Sequence, residues 1–314
     1  MAKVTVIGGG NVGATCANVL AHKDIVNEVV TIDLQADLAR GKMLDSWQQA
    51  AIDYYSTRTV GSGDYADTAN SDIVVITAGV PRKPGMTRDD LVATNAKIVN
   101  SVIDNVLKYS SNPIIIMVSN PLDVMTYAAL KKSGLPRERV IGMAGILDTA
   151  RYRAFLASEL KISPKDIQAI LLGGHGDTMV PLPRYTTVAG IPITELVAAD
   201  KLHEIIERTK NGGGELVNLM GTSAWYAPGA AAAQMVQAIV DDQKVIVPAC
   251  ALLNGEYGLK DIYLGVPVKL GANGIEEIIE LKLNKEEMRL LHESAESVRK
   301  TMKVLDEMQI FAVK

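Results

Sequence analysis

The first 33 residues contain the pattern that most constrains how this chain can fold. Residues 4–7 are a short run rich in β-branched side chains, and they end at the segment Gly8-Gly9-Gly10-Asn11-Val12-Gly13, which residues 14–21 of helical composition follow. The GxGxxG spacing of Gly8, Gly10 and Gly13 allows a tight turn, the close approach of a pyrophosphate and close packing of a helix on a strand. The segment therefore predicts a strand, a phosphate-binding turn and a helix.

A second predicted strand, residues 28–32, ends at Asp33. An acidic side chain about twenty residues beyond such a glycine turn accepts hydrogen bonds from the adenosine ribose hydroxyls, and it repels a 2′-phosphate. The expected cofactor is therefore NAD rather than NADP. The alternative is a glycine-rich turn followed by a solvated aspartate. The candidate cofactor-binding residues of this region are Gly8, Gly9, Gly10, Asn11, Val12, Gly13 and Asp33.

Predicted strands and helices continue to alternate up to residue 143. The predicted helices are residues 36–49 and 95–107, and the predicted strands are residues 57–61, 72–77, 114–118 and 140–143. Near-continuous apolar strands that alternate with helices are typical of a parallel sheet covered on both faces. Ligands of such sheets bind beyond the carboxyl ends of the strands. The residues that follow two of these strands are Thr77, Ala78 and Gly79, and Val118, Ser119 and Asn120.

The pattern changes beyond residue 143 to longer helices and then to an antiparallel meander. We predict helices at residues 148–160, 198–211 and 222–242, with a break at Gly212-Gly213-Gly214, and strands at residues 246–253, 262–270 and 275–283. Asn284 and Glu287 resemble a capping box for a final helix whose apolar stripe is core or subunit interface. The predicted fold class is α/β: a Rossmann doubly wound parallel sheet in residues 1–144, and a mixed α+β substrate domain in residues 145–314.

Composition excludes several classes of function. The chain has 314 residues, a net charge of −4 and a pI near 5.7, which leaves no broad cationic surface for nucleic acid or an anionic membrane. No apolar run approaches the roughly 18 residues of a membrane span, and no leader sequence is evident, so we expect a cytosolic protein. Cys16 and Cys250 form no metal-spaced set, so we expect two core residues and no metal site.

A histidine set among glycines, Gly173-Gly174-His175-Gly176-Asp177, follows the apolar residues 167–172. A histidine exchanges protons near neutral pH, and glycines allow a ligand to approach the backbone closely. Upstream, Asp148 and Arg151 are three positions apart and therefore share one face of a helix. An acid, a base and a planar cation can together bind a carboxylate and move a proton beside it. The alternative is a histidine that only satisfies turn carbonyls.

Residues 81–90 are rich in proline, glycine and charge, and they include Arg82 and Arg88. Two arginines on a loop are usually solvated. This loop follows a strand at the ligand edge of the predicted sheet, so it can also act as a lid that carries guanidinium groups inward.

These motifs resemble the malate dehydrogenases of the lactate-dehydrogenase-like type, in the lactate/malate dehydrogenase superfamily, and the resemblance runs nearly end to end. The most specific segments are residues 8–13 with Asp33, 81–88, 118–121, 148–151 and 173–177. The resemblance implies that His175 is the proton acceptor and that Asp148 orients it. It also implies that Arg151 holds the carboxylate next to the reacting carbon, while Arg88 polarises the carbonyl.

By the same resemblance, Asn120 would contact both substrate and nicotinamide, and Asn95 and Val118 to Asn120 would line the cofactor. The bond between Asn120 and Pro121 is a candidate cis peptide. The glycine turn departs from many relatives, which have alanine at the position of Gly9.

The resemblance assigns the choice of substrate to Arg82, because lactate dehydrogenases typically have a neutral residue at the matching position. A second guanidinium in a closed site requires a second carboxylate, since an unpaired buried charge costs several kcal/mol. We therefore expect reversible NAD-dependent oxidation of (S)-malate to oxaloacetate, a reaction of the tricarboxylic acid cycle, with a dicarboxylate as the small-molecule partner. The alternatives are a lactate dehydrogenase and a non-catalytic NAD-binding sensor. Relatives of this type are commonly homotetramers or dimers.

Overall fold

The computed structural model describes residues 2–81 and 87–308. The strands in these residues are Lys3–Ile7 (β1), Glu28–Ile32 (β2), Arg58–Ser62 (β3), Ile73–Ile76 (β4), Ile114–Met117 (β5), Val140–Gly142 (β6), Ile167–Gln168 (β7), Leu171–Leu172 (β8), Val180–Pro181 (β9), Thr187–Val188 (β10), Ile191–Pro192 (β11), Val245–Asn254 (β12), Lys260–Gly271 (β13) and Gly274–Ile278 (β14). The α-helices are Asn11–Lys23 (α1), Ala36–Asp53 (α2), Arg88–Leu107 (α3), Leu122–Ser133 (α4), Ala144–Leu160 (α5), Ile193–Leu196 (α6), Ala199–Met220 (α7), Tyr226–Val240 (α8) and Lys285–Glu307 (α9).

Six parallel strands form the sheet of the N-terminal half in the order β3-β2-β1-β4-β5-β6. This is the order of a doubly wound Rossmann sheet, so the predicted fold class is confirmed. The order in which strands are added reverses between β1 and β4: β2 and β3 lie on one side of β1, and β4, β5 and β6 lie on the other. A crevice opens at such a reversal beyond the carboxyl ends of the strands, and this is where dinucleotides bind in sheets of this kind.

Burial on both faces explains why these strands are almost entirely apolar. All four residues of β4 and of β5 are buried. Because successive side chains of a strand point to opposite faces, helices must cover both sides of the sheet. Cys16 on α1 and Cys250 on β12 are both buried and unpaired, as the sequence predicts.

The C-terminal meander of β12, β13 and β14 is antiparallel, as predicted. Strand β12 also pairs with β6, with Cys250 opposite Gly142, so the meander extends the parallel sheet across the predicted domain boundary. The predicted capping box is confirmed: Asn284 and Glu287 each bond the other's backbone N–H at the start of α9. The apolar stripe of α9 lies in the core.

Several predicted boundaries are wrong. Helix α7 continues through Gly212-Gly213-Gly214, where we predict a break, because its buried face packs on α5 and this packing outweighs the low helix propensity of glycine. Helix α8 begins at Tyr226 rather than at residue 222, and β14 ends at Ile278 rather than at residue 283.

The predicted lid loop is also shorter than expected. Helix α3 begins at Arg88 rather than at residue 95, because Thr87 and Asp90 form a capping box that starts the helix seven residues earlier. Arg88 therefore lies in the first turn of a helix. Arg82 lies outside the described residues.

Candidate active site

A chain of three charged side chains joins helix α5 to the glycine-flanked histidine. Oδ2 of Asp148 lies 2.8 Å from Nδ1 of His175, and Oδ1 of the same carboxylate accepts a bond of 3.3 Å from a terminal nitrogen of Arg151. The side chain of Asp148 is only 4% exposed, whereas those of His175 and Arg151 are 19% and 14% exposed. The aspartate is therefore enclosed, and the base and the cation remain accessible.

Two opposing effects determine the pKa of His175. Burial lowers it, because desolvation penalises the imidazolium. The negative charge of Asp148 and its hydrogen bond to the ring raise it, with a smaller contribution in the same direction from Asp123, and Arg151 lowers it. The net pKa of His175 is above the ordinary histidine value, so the charged form persists to higher pH.

Three separate elements hold the backbone of the histidine loop. Gly173 exchanges two hydrogen bonds, of 2.9 and 3.0 Å, with Gly265 of β13. The N–H of Gly174 donates to the Ser294 hydroxyl on α9 at 2.8 Å, and the N–H of His175 donates to Asp123 on α4 at 3.0 Å. These contacts fix the backbone that carries the imidazole to β13, α9 and α4.

The glycine turn between β1 and α1 leaves no room for side chains at two positions. Gly8 has a φ of +105°, and a Cβ added to Gly13 would lie 1.8 Å from the carbonyl oxygen of Gly8. Asp33 accepts the N–H of Gly9 at 2.6 Å and that of Gln35 at 2.9 Å. The turn and the end of β2 are thereby fixed to each other.

The loops after β4 and β5 are also bonded together. The buried side chain of Asn95 accepts the N–H of Val80 at 2.9 Å and donates to the Asn120 carbonyl at 2.6 Å. The Ser119 hydroxyl donates to the Ala78 carbonyl at 2.6 Å. The peptide between Asn120 and Pro121 is cis, as expected from the resemblance.

One cavity of about 480 Å³ connects these loops with the catalytic candidates. Its walls include predicted residues from the Rossmann sheet: Val12, Thr77, Gly79, Asn95, Val118 and Ser119. Its other walls include Asn120, Arg151 and His175. The predicted cofactor-binding residues that do not line it are Gly8, Gly9, Gly10, Asn11, Gly13, Asp33 and Ala78, which form or support the turn at the switch point. Asp148 does not line it either and lies behind His175.

Two family models together match almost the whole chain. The lactate/malate dehydrogenase NAD-binding domain matches residues 2–142, and the lactate/malate dehydrogenase alpha/beta C-terminal domain matches residues 146–309. The chain belongs to the lactate/malate dehydrogenase family. The family resemblance expected from the sequence is therefore confirmed.

Relatives in this family are similar over nearly their full length. A malate dehydrogenase of Cytophaga hutchinsonii is 69% identical over 97% of this chain and 98% of its own. The solved malate dehydrogenase of Salinibacter ruber superposes with a TM-score of 0.94 at 52% identity, over 98% of each chain. A Cryptosporidium parvum lactate dehydrogenase, solved with lactic acid and nicotinamide adenine dinucleotide, superposes with a TM-score of 0.93 at 38% identity, over 97% of this chain and 98% of that one.

The residues present at the glycine turn fit the dinucleotide that this family's N-terminal domain binds. A Cβ added to Gly10 would meet no atom within 4 Å, so there is open space at the start of α1. The N–H groups of a first helical turn have no partner within the helix, and with such space beside them they can bind a pyrophosphate.

Helix α7 and the segment before α8 also contribute to the site, which the sequence motifs do not predict. Lys210, Gly213 and Ser223 line the same cavity. A Cβ on Gly212 would lie 3.3 Å from Cδ of Arg151, so the glycines allow α7 to lie close to that arginine. The available signal is the run of three glycines next to a helical pattern, which predicts a break but lies within α7.

Two of the predicted substrate residues are not placed in the cavity by this structure. Arg82 falls outside the described residues, and of Arg88 only the backbone at the start of α3 is described. Within the described residues no cluster of three or more His, Cys, Asp or Glu side chains is arranged to hold a metal ion. None of the helices in this part of the chain combines the length and the apolar character that crossing a membrane requires.

Proposed function

We propose that the protein catalyses the reversible NAD-dependent oxidation of (S)-malate to oxaloacetate. The observation that carries the proposal is the Asp148–His175 pair beside Arg151, in a cavity that reaches the loops of the Rossmann sheet. The malate dehydrogenases of Cytophaga hutchinsonii and Salinibacter ruber support it, because they are similar over nearly the whole chain.

The proton of the substrate hydroxyl passes to His175. Asp148 occupies Nδ1 of the ring, which leaves Nε2 to take the proton as the neutral base and to return it as the imidazolium in the reverse reaction. NAD, when bound, supplies the acceptor for the hydride that leaves the same carbon. His175 therefore accepts the proton of the hydroxyl, and the cofactor accepts the hydride with its two electrons.

Arg151 is the proposed ligand of the carboxylate next to the reacting carbon. Its Nε is buried and has no hydrogen-bond partner among the described residues, and the side chain lines the cavity. A planar guanidinium makes two parallel charge-assisted bonds to a carboxylate, which satisfies buried donors of this kind. The remaining bond to Asp148 keeps the guanidinium on the side of the cavity where His175 lies.

The second carboxylate of malate is assigned to Arg82, and the developing charge on the substrate oxygen to Arg88. Both assignments rest on the sequence, in which two arginines follow the β4 end of the sheet. With a dicarboxylate bound, the guanidinium of Arg82 would pair with the second carboxylate. With pyruvate bound, it would be buried without a partner.

We assign the cofactor contacts to the residues that the sequence motifs predict. The pyrophosphate is assigned to the turn of Gly8, Gly9, Gly10, Asn11, Val12 and Gly13, and the adenosine ribose to Asp33. The nicotinamide half is assigned to Thr77, Ala78, Gly79, Asn95, Val118, Ser119 and Asn120, whose loops are bonded to one another.

A comparison of four rates tests the function. Purified protein is assayed with oxaloacetate or pyruvate, each with NADH or NADPH. We expect oxaloacetate with NADH to be much the fastest pair. Pyruvate as the better substrate would identify a lactate dehydrogenase, and NADH binding without turnover of either keto acid would identify a sensor.

We also propose that the protein is a homo-oligomer, either a dimer or a tetramer. Large apolar side chains are exposed on α2, at the end of α7 and at the start of α8, including Leu44, Trp47, Leu219 and Tyr226. Adjacent exposed apolar side chains indicate a protein contact, and identical subunits usually associate symmetrically. Sedimentation equilibrium should give a mass of two or four times 33.7 kDa, and a mass of 33.7 kDa would contradict the proposal. Trp47→Glu should lower it, and Tyr109→Glu, at an exposed aromatic elsewhere, should not.

A cytosolic location is the remaining part of the proposal. The two cysteines are unpaired and buried, which is typical of proteins that fold in a reducing compartment. Activity in the soluble fraction of fractionated cells would support it, and activity in the membrane or secreted fraction would contradict it.

A further inference from the structure

A second buried carboxylate lies directly behind the catalytic histidine. Asp123 is 6% exposed and belongs to the first turn of α4. Its Oδ2 accepts the backbone N–H of His175 at 3.0 Å. The N-terminal end of a helix stabilises a negative charge, so the position favours the carboxylate form of a side chain that burial would otherwise neutralise.

The other oxygen of Asp123 is held by a thiol. Sγ of Cys250, on β12, donates to Oδ1 at 3.1 Å, and both residues are buried. In the described part of the chain no arginine or lysine forms an ion pair with Asp123. Among the described residues this carboxylate accepts a peptide N–H and a thiol, which leave most of its charge uncompensated, and the cation that acts on it is the imidazolium of His175.

We propose that Asp123, fixed by the thiol of Cys250, is a positioning residue for His175 that holds its peptide and stabilises its charged form. The proposal builds on the proposed function, since it concerns the base of that reaction. Asp148 orients the ring from α5, whereas Asp123 acts on the same residue from α4, through the backbone and through its charge. Asp123 itself contacts neither substrate nor cofactor in this assignment.

Opposing effects set the pKa of Asp123, whose net direction is above the ordinary carboxyl value. Burial raises it most and the charge of Asp148 adds to this, while the Cys250 thiol, the His175 peptide N–H and the charge of His175 lower it. The charged groups around His175 are Asp148 and Arg151 on α5, Asp123 on α4 and Asp177 in its own loop. Lys210 of α7 lines the same cavity and is paired with Glu207, and the side chain of Arg88 is not described. Of the two acids other than Asp148, Asp123 is buried and Asp177 is exposed, so water screens Asp177 far more.

The direct test is the titration of His175 by NMR. The chain has four histidines, so comparison with His175→Asn assigns the signal in protein labelled at histidine nitrogen. Asp123→Asn keeps the shape of the side chain and an acceptor for the peptide N–H but removes the charge. We expect it to lower the pKa of His175 by about half a unit to one unit, the size of a partly screened interaction over a few ångströms. The matched control Asp177→Asn should shift it by less than a third of that. Equal shifts in the two variants would overturn the proposal.

The thiol supplies a second, independent pair of variants. Cys250→Ser keeps a donor to Asp123 and should titrate like the wild type, while Cys250→Ala removes the donor and should shift the pKa of His175 in the same direction as Asp123→Asn. If the alanine and serine variants titrate alike, Cys250 does not fix Asp123. If Asp123→Asn does not fold, the comparison of Cys250→Ala with Cys250→Ser tests whether Asp123 affects the pKa of His175.

The pH profile of turnover then connects the pKa to the reaction. The pH at which kcat/KM for oxaloacetate falls to half should move down in Asp123→Asn by the same amount as the NMR value, with NADH affinity unchanged. Because the NMR titration requires no turnover, an inactive wild type would contradict the proposed function alone. An active wild type with an unmoved His175 pKa in Asp123→Asn would contradict this inference alone.

Discussion

Nδ1 of His175 and Oδ2 of Asp148 lie 2.8 Å apart, although the two residues are 27 positions apart in the sequence. The contact joins α5 to the loop after β8, and it assigns a role to each ring nitrogen. In the proposed reaction the proton shared with Asp148 remains on Nδ1, and Nε2 exchanges a proton with the substrate. The pair and the cavity it faces therefore govern both the rate and the pH dependence of the proposed reaction.

His175→Asn should reduce turnover of oxaloacetate by about 10² to 10⁴-fold, since this is what a positioned general acid or base contributes and the amide cannot replace it. NADH binding, measured by fluorescence titration, should stay within about twofold of the wild type, because the glycine turn and Asp33 lie in the other half of the chain. Residual turnover near the wild-type level would mean that another group is the base.

The rates of the two directions should depend on pH in opposite ways. Burial lowers the pKa of His175, and the charge and hydrogen bond of Asp148 together with the charge of Asp123 raise it by more, so the midpoint should lie above the ordinary histidine value of about 6.5. Oxaloacetate reduction requires the imidazolium, so its kcat/KM should be greatest below the pKa and fall as pH rises through it. Malate oxidation requires the neutral ring, so its kcat/KM should rise over the same interval. A shared midpoint below about pH 6 would contradict these assignments, since the unperturbed histidine value is about 6.5.

The glycine turn offers a matched pair of substitutions. Gly13→Ala places a Cβ 1.8 Å from the Gly8 carbonyl oxygen, so it should destabilise the fold by about 2 kcal/mol or more and abolish NADH binding. Gly10→Ala meets no protein atom within 4 Å, so the melting temperature should hardly change. Its methyl group would nevertheless lie where the pyrophosphate approaches, and the Kd for NADH should rise about tenfold or more. Calorimetry and fluorescence titration measure the two effects separately, and an equal loss of stability in both variants would contradict the steric difference between the two positions.

Asp33 should make the protein strongly selective for NADH. A phosphate placed beside this carboxylate would cost about 3 kcal/mol, which corresponds to about 100-fold in kcat/KM. Asp33→Ser combined with Leu34→Arg should narrow the preference, because it removes the repulsion and supplies a cation. Equal rates of the wild type with NADH and NADPH would contradict the assignment of Asp33 to the ribose.

Arg82 should determine the substrate. Sites that lose a required polar partner discriminate by about 10⁴ to 10⁵, so the wild type should favour oxaloacetate over pyruvate by a factor of that order in kcat/KM. Arg82→Gln should depress oxaloacetate turnover strongly and raise pyruvate turnover. An unchanged ratio of the two kcat/KM values would make Arg82 a solvated residue, and the preference for malate would have to come from elsewhere in the site.

Features whose causes lie within a few residues could be predicted from the amino-acid sequence alone. The strand, turn and helix at residues 3–23 follow from β-branched residues and glycine spacing, and the start of α9 follows from the capping pair Asn284 and Glu287. The parallel character of the N-terminal sheet was also predictable, because strands buried on both faces must be continuously apolar. The family resemblance is likewise carried by short motifs, each of which is complete within a few consecutive residues.

Features that depend on contacts between distant segments required the folded chain. The continuation of α7 through three glycines depends on its packing against α5, and the extension of the sheet depends on the pairing of Cys250 with Gly142. The most informative case is Asp123, which the sequence alone does not distinguish from any other acidic residue in the first turn of a helix. Only the fold places it between the peptide of His175 and the thiol of Cys250, because these two residues lie 52 and 127 positions away from it along the chain. No local sequence pattern predicts these contacts, because the packing of whole helices and strands brings the side chains together.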